Sequence, residues 1–355
     1  MPYQGVNIKL RRAFIHCIAN YLPQDVLTNE KLAQDFKDWD IKKIYNKTGI
    51  LKRHIAKENE CSSDMGISAA KKLFEVFSVK PESIDFLLFC TETPDYFLPA
   101  SACIIQDKLD LKLECGALDI NLGCSGYIYG LALAKGLIER DLADNVLFIT
   151  ADTYSKLIHP HDRSVRTLFG DGASATLISG TKSTEELIGP FVFNTDGRGA
   201  KNLIVPAGGF RLRCNDETSI PQKNGMGNIR SLENIFMDGP EIFNFTMREI
   251  PKTVNLLLEK AKISIDNVDY FVFHQANKFI LGQLRKKLNI PIHKFCINME
   301  SYGNTVASTI PMALTIAQNE GQIKSGNNLM LVGFGVGYSR AATIIKVTKE
   351  FKSII

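Results

Sequence analysis

Three side chains in this sequence share a setting suited to acyl chemistry: a thiol, an imidazole and a carboxamide, each where an apolar strand runs into a turn. Cys124 lies in NLGCSGYIYGLALAKGLIE, where a strand ends near Asn121, Gly123 and Gly126 flank the thiol, and an apolar helix follows. A strand-to-helix turn exposes the sulfur and aims the helix N-terminus at it, and the dipole and free N–H groups there favour thiolate. Small neighbours let a thioester approach, and the N–H of the cysteine itself can donate to an oxyanion. Taken alone, Cys124 reads equally as a buried core thiol, the better reading for most other cysteines here. His274 ends the run VDYFVFH, a position where a lone histidine is more often a hydrogen-bonded core group. Asn304 follows Gly303 in ESYGNTVAS and alone reads as a helix N-cap.

An internal repeat separates these readings. The segment SIDFLLFCTETP resembles NVDYFVFHQANK, and the helix after each ends in Lys-Leu (Lys108-Leu109 and Lys287-Leu288). ALDINLGCSGY then pairs with KFCINMESYGN, and NVLFITAD with NLMLVGFG. The same order of strand, helix, strand, helix, strand occurs twice, the signature of a duplicated unit. Cys124 and Asn304 occupy matching turns, and His274 the turn after the preceding strand. If the halves adjoin, the three turns converge on one point as a nucleophile with two hydrogen-bonding partners, the arrangement of covalent acyl transfer.

The elements that must position these turns follow from short β-rich runs alternating with helical patterns, an α/β layering. Strands are expected at Ile84–Cys90, Ala117–Asn121, Val146–Thr150, Ala175–Ile178, Val268–His274, Phe295–Asn298, Leu329–Gly333 and Ala342–Val347. Helices are expected at Ser62–Phe77, Ala102–Lys108, Ser125–Glu139, Glu241–Lys262, Lys278–Leu288 and Val306–Asn319. The division is into residues 1–180, carrying the thiol, and 181–355, carrying the imidazole and carboxamide, meeting near Gly180. An aperiodic stretch at 207–234, rich in Gly, Asn, Arg and Ser, is a lid, a binding loop or a disordered excursion. KEFKSII at the C-terminus reads as a tail.

Composition narrows the function classes. The chain of 355 residues is 45% hydrophobic and 23% charged, with net charge +4, too mild to indicate nucleic-acid binding. Its eight cysteines form no CxxC pair and no spaced Cys/His cluster, so no metal site is expected. Several sit in apolar runs as reduced thiols would, which points to a cytoplasmic protein. The apolar run from Ala13 to Leu22, interrupted by His16 and Asn20, lacks the pattern of a signal peptide, and no stretch is long enough to enter a membrane. GFGVG (Gly333–Gly337) lacks GxGxxG spacing and reads as a tight turn lending N–H groups to the site. FGDGASA (Phe169–Ala175) has no GK[ST], leaving a packed turn for Asp171 and Gly172.

These motifs together resemble the ketoacyl-carrier-protein synthase III family of the thiolase superfamily. The likeness runs through YLPQDVLTNEKL, TGILKRHIA, LPASACIIQDKL, INLGCSGYIYGL, FGDGASATLI, HQANKFIL, YGNTVASTIPMAL and GFGVGYSRAA, in family order. It implies a duplicated, five-layered αβαβα thiolase-like fold and a homodimer. Cys124 would take an acyl group from a coenzyme A or carrier-protein thioester. His274 and Asn304 would hydrogen-bond the carbonyl of a malonyl thioester as carbon dioxide leaves, and the N–H groups of Cys124 and Val336 would form the other oxyanion hole. No tightly bound cofactor is implied. Arg163, Lys47 and Leu98 would contact coenzyme A or substrate, and Gln275, Asn277, Lys278 and Arg285 an acyl carrier protein.

The chain departs from the family pattern at the periphery. Lys43 stands where many members have a tryptophan, Lys47 at the nearby arginine position, and the only tryptophan, Trp39, is offset. Phe279 replaces a basic residue after HQAN, and Asn244 a lysine on the helix after MDGPEIF. Arg285, Lys286 and Lys287 offer another patch for an acidic partner or a solvated helix end. Three rival readings remain: acyl transfer to a hydroxyl or amine on the same fold, a papain-like hydrolase, and a noncatalytic partner subunit.

Overall fold

The computed structural model describes residues 9–36, 40–225 and 227–355, so Trp39 lies outside the described residues. The strand runs are apolar on successive residues, so both faces of each sheet need a cover. Six strands make the first sheet: β1 Leu10–Tyr21, β2 Phe86–Cys90, β3 Gly116–Ile120, β4 Asn145–Asp152, β5 Gly172–Ser183 and β10 Lys352–Ile354, in spatial order β10-β1-β5-β4-β2-β3. Four make the second: β6 Ile188–Thr195, β7 Tyr270–Phe273, β8 Asn328–Gly335 and β9 Ser339–Lys346, in order β7-β8-β9-β6. Going inward from β1, the pairings are antiparallel, antiparallel, parallel, parallel. From β6 the second sheet repeats them, ending in a single parallel bridge between Phe271 and Phe295.

Six helices cover the sheets: α1 Ser62–Phe77, α2 Ser101–Lys108, α3 Gly126–Glu139, α4 Gly239–Ala261, α5 Lys278–Lys287 and α6 Thr309–Asn319. Alternation along each strand decides which helix a residue meets. Leu87 and Phe89 of β2, with Leu147 and Ile149 of β4, face Met65, Ala69 and Leu73 of α1. Their neighbours Leu88, Val146 and Phe148 face Leu131 of α3 and Ile310 of α6, against which Val272 and Leu331 of the second sheet also pack. Phe273 and Val332 turn the other way, onto Val254 of α4 and Leu281 of α5. The layers therefore run helix, sheet, helix, sheet, helix, with α3 and α6 in the middle. Their burial between two sheets is why both helices are mainly apolar, with the paired Lys135 and Glu139 near the C-terminal end of α3.

The structure corrects the sequence reading at residues 295–298 and at the C-terminal segment, and adds to it at two other places. Residues 295–298 form no strand, because the Gln275 carboxamide takes the ladder positions: it donates to Phe273 O at 2.6 Å and accepts from Asn298 N at 2.7 Å. The Ala13–Leu22 run is most of β1, buried between β5 and β10. The C-terminal segment is not a free tail, since Lys352–Ile354 pairs with Cys17–Ala19. Gly180 lies inside β5, which continues to Ser183.

Candidate active site

Cys124 ends the connection from β3 to α3 and is 4% exposed. Ser125, next to it, is locked by its hydroxyl, 2.7 Å from that of Ser339. The end of β8 closes over the thiol: a Cβ on Gly335 would lie 2.9 Å from both Cβ and Sγ of Cys124. Only a glycine lets that backbone come so near. The N–H groups of Cys124 and Val336 act on the sulfur and lower its pKa, the placement required of oxyanion donors. They are outweighed. Burial first, then the Glu92 and Asp152 carboxylates, push the thiol well above its ordinary value. The resting group is a thiol rather than the thiolate that the helix N-terminus alone suggests.

His274 follows β7 and is 2% exposed; Asn304, at 5%, lies in the turn before α6. The carboxamide Nδ2 lies 3.5 Å from imidazole Nε2. Asn304 Oδ1 accepts from Val306 N at 2.9 Å, so the side chain caps its own turn and still presents an N–H. The imidazole Nδ1 is 2.7 Å from the Thr309 hydroxyl, and the Phe334 ring stands edge-on at 5.6 Å. Burial drives the His274 pKa down to about 3, so the ring is neutral across the working range. Val306 joins this turn to the nucleophile, since it shares a buried cluster with Cys124, Tyr154 and Phe169. The three turns thus meet.

Sequence reasoning missed the groups beneath and beside them. Arg53, in TGILKRHIA, is wholly buried, donating to Asn29 Oδ1 at 2.6 Å and through Nε to Thr167 O at 3.0 Å. Burial lowers its pKa to about 9. Gly303 and Gly170 rest on its stem, and Asn304 is clamped to the same segment by N–H bonds to Leu168 O (2.9 Å) and from Gly170 (3.0 Å). Glu92 follows β2 at the sheet end that also carries the Cys124 turn. Its signal was a polar run, Thr-Glu-Thr-Pro-Asp, directly after a strand apolar on every residue.

Comparison with known proteins identifies the family. Residues 118–197 match the family described as 3-oxoacyl-[acyl-carrier-protein (ACP)] synthase III, and residues 258–347 its C-terminal part. A relative in Caldanaerobacter subterraneus subsp. tengcongensis, beta-ketoacyl-[acyl-carrier-protein] synthase III, is 38% identical over 93% of this chain and 96% of its own. The chain belongs to the ketoacyl-carrier-protein synthase III family. A crystal structure of a 3-oxoacyl-(acyl-carrier-protein) synthase III superposes with a TM-score of 0.93 at 51% identity, covering 94% of this chain and 99% of that one. The 3-oxoacyl-(acyl-carrier protein) synthase from Burkholderia xenovorans LB400 gives 0.87 at 36% identity, over 98% and 99%.

The outer residues expected of a synthase III fare unevenly. Arg163 stacks over Phe36, its Cζ 4.8 Å from the ring centroid, and its N–H donates to Asn228 at 3.1 Å. The 207–234 stretch is therefore tied down here, with Arg230 also paired to Asp162 at 2.7 Å and a short hairpin at Gln222–Lys223 and Ile229–Arg230. Lys47 and Lys43 are exposed on the helix Ile41–Thr48, which packs against α5. Leu98 is 81% exposed, so within one chain it walls no pocket beside Cys124. Gln275 is wholly buried and committed to backbone groups, which removes it from any carrier contact. Asn277 caps α5 through Ile280 N at 2.8 Å, and Arg285 turns back onto Ile290 O at 2.8 Å. Lys278 stays exposed, its Nζ 5.4 Å from the Tyr45 ring centroid. Phe279 stacks on Phe243, making an apolar patch where a basic one was expected, and Asn244 Nδ2 lies 3.4 Å from Glu241. Among the described residues no cluster of three or more His, Cys, Asp or Glu is placed to hold a metal, and no helix is long and apolar enough to cross a membrane.

Proposed function

We propose that this chain is a beta-ketoacyl-[acyl-carrier-protein] synthase III-type condensing enzyme, in which Cys124 is acylated from a coenzyme A or carrier-protein thioester and the acyl group then joins a decarboxylating malonyl thioester. The observation that carries the reading is the pair of buried donors, His274 and Asn304, beside a nucleophile with two N–H groups on its sulfur. In this mechanism the Thr309 hydroxyl, which lies 2.9 Å from Val306 O as well as 2.7 Å from Nδ1, turns its single proton onto Nδ1, leaving the ring proton on Nε2. Nε2–H and Nδ2–H then aim at one oxygen, the malonyl thioester carbonyl, whose charge grows as carbon dioxide departs. A ring with a pKa near 3 donates there without becoming an acid strong enough to quench the carbanion. The enolate attacks the acyl-cysteine carbonyl, held by the N–H groups of Cys124 and Val336, and Sγ leaves.

Substrate and partner contacts extend the same proposal. Arg163 and Lys47 bind the nucleotide end of coenzyme A, and the acyl carrier protein docks on the cations around Lys43, Lys47 and Lys278. Residues 1–180 and 181–355 are the two copies of the duplicated unit. The edge strand β3, with Leu118 exposed, suits pairing with a second copy as a homodimer. Eight free thiols fit a reducing, cytoplasmic setting. The test is release of labelled carbon dioxide from malonyl thioester by the acylated enzyme. Release coupled to β-ketoacyl product supports condensation. Loss of the acyl group to a hydroxyl or amine without release would replace it with simple transfer.

A further inference from the structure

The acylation step needs somewhere for the thiol proton to go. In the proposed mechanism His274 is not that place, because its Nε2 already carries a proton and its basicity is low. One other group that could take a proton reaches the same turn. Backbone pairing sets Glu92 beside the Cys124 connection, with Thr91 N donating to Ile120 O at 3.1 Å. The Glu92 N–H is fixed by Asp152 Oδ1 at 2.8 Å. Its Oε2 accepts from the Tyr154 hydroxyl, and a methyl on Gly123 would overlap that same oxygen, so the carboxylate lies against the residue preceding the nucleophile. Tyr154 itself shares the buried cluster of Cys124.

We propose that Glu92 accepts the Cys124 proton as the acyl group is loaded. The thiol S–H bond breaks and its proton passes to a Glu92 oxygen while Sγ bonds to the donor carbonyl carbon. The carbon–sulfur bond to coenzyme A then breaks, and the departing thiolate takes the proton from Glu92, which returns to carboxylate. Nothing else is consumed. The surroundings of Glu92 set its basicity. Asp152 is wholly buried, its Oδ2 has no partner among the described residues, and burial and the nearby Glu92 charge hold its pKa far up. Glu92 is less buried than Asp152, and burial raises its basicity against the opposing Tyr154 hydrogen bond.

The inference rests on Cys124 being acylated, and the experiment keeps the two claims apart. Loading is followed by intact-protein mass spectrometry with saturated acyl-coenzyme A donors from two to twelve carbons, using the donor that loads wild type fastest. If neither these donors nor the matching acyl-carrier-protein thioesters load wild type, the condensing reading fails. If wild type loads, Glu92→Gln is expected to load at least about 100-fold more slowly at pH 7, the scale of a lost general base. Its rate should then climb about tenfold per pH unit as hydroxide ionises the thiol, while malonyl decarboxylation falls far less. Glu92→Asp should recover much of the loss. Tyr154→Phe should move the acid limb of loading to higher pH, because it removes the bond that lowers the Glu92 pKa. Wild-type loading in Glu92→Gln overturns the proposal, as does equal loss of both half-reactions without rescue at high pH.

Discussion

Replacing Gly335 with alanine isolates the contact on which the nucleophile depends. The φ there is 165°, extended backbone that alanine adopts, so the cost is steric. The added methyl would lie 2.9 Å from Sγ and Cβ of Cys124. Carbon contacts settle near 3.5–4.0 Å, so the nucleophile or β8 must give by about 0.6–1.1 Å. Ser125 is held to Ser339, and Gly333 packs on the Cys124 carbonyl and the Ser125 Cα, so neither side yields freely. Overpacking of this kind destabilises by about 1–3 kcal/mol, and a displacement near 1 Å costs about 100-fold in rate. Rapid-quench mass spectrometry of acyl loading should show that loss in Gly335→Ala while far-ultraviolet circular dichroism and a cooperative melt persist. Loading at the wild-type rate in a folded Gly335→Ala protein would refute the closeness of β8 to the thiol.

Other substitutions probe the surrounding architecture. Asn304→Ala should lower carbon dioxide release by about 100-fold or more while Cys124 still loads, since it removes a carbonyl donor and not the nucleophile; equal loss of both steps would contradict this. His274 has a folded pKa near 3 against 6.5 when free, so the unfolded chain binds the extra proton and stability falls as pH drops from 6.5 towards 3. Denaturant titrations of His274→Gln should therefore show a slope shallower by up to about 1.4 kcal/mol per pH unit in that window. Arg53→Met strands the Thr167 carbonyl and Asn29 and should cost about 2–4 kcal/mol in chemical denaturation, with carbon dioxide release impaired beyond loading as the Asn304 turn shifts. Deleting residues 352–355 should lower the melting temperature, because β10 edges β1; an unchanged melt would restore the reading of a tail.

Much of the site was legible because each functional residue sits at a strand end that repeats in sequence. Cys124, His274 and Asn304 were found by the register of one half against the other, and the helix Ser62–Phe77 matches to the residue because Asp64 caps its start. What sequence could not show was who occupies a ladder position across the fold. Gln275 reads as a surface neighbour of His274, yet its carboxamide substitutes for a strand partner at Asn298. The run from Ala13 was judged by what it is not, whereas burial between β5 and β10 is set by pairings far along the chain. Glu92 escaped notice because the approach of its carboxylate to Gly123 is a property of paired sheet ends, not of spacing. The thiolate expected at a helix N-terminus failed for the same reason: the carboxylates that oppose it arrive from β2 and β4.

The most direct test is to locate the acyl group and follow it. Wild-type protein is incubated with the best acyl-coenzyme A donor, digested and sequenced by tandem mass spectrometry, and a parallel sample is chased with malonyl-carrier protein. The expected result is a single acyl adduct on Cys124, absent from Cys124→Ala, which disappears on the chase as a β-ketoacyl product two carbons longer appears. An adduct on another residue, or one on Cys124 that malonyl-carrier protein never discharges, would contradict the convergence of thiol, imidazole and carboxamide on one reaction.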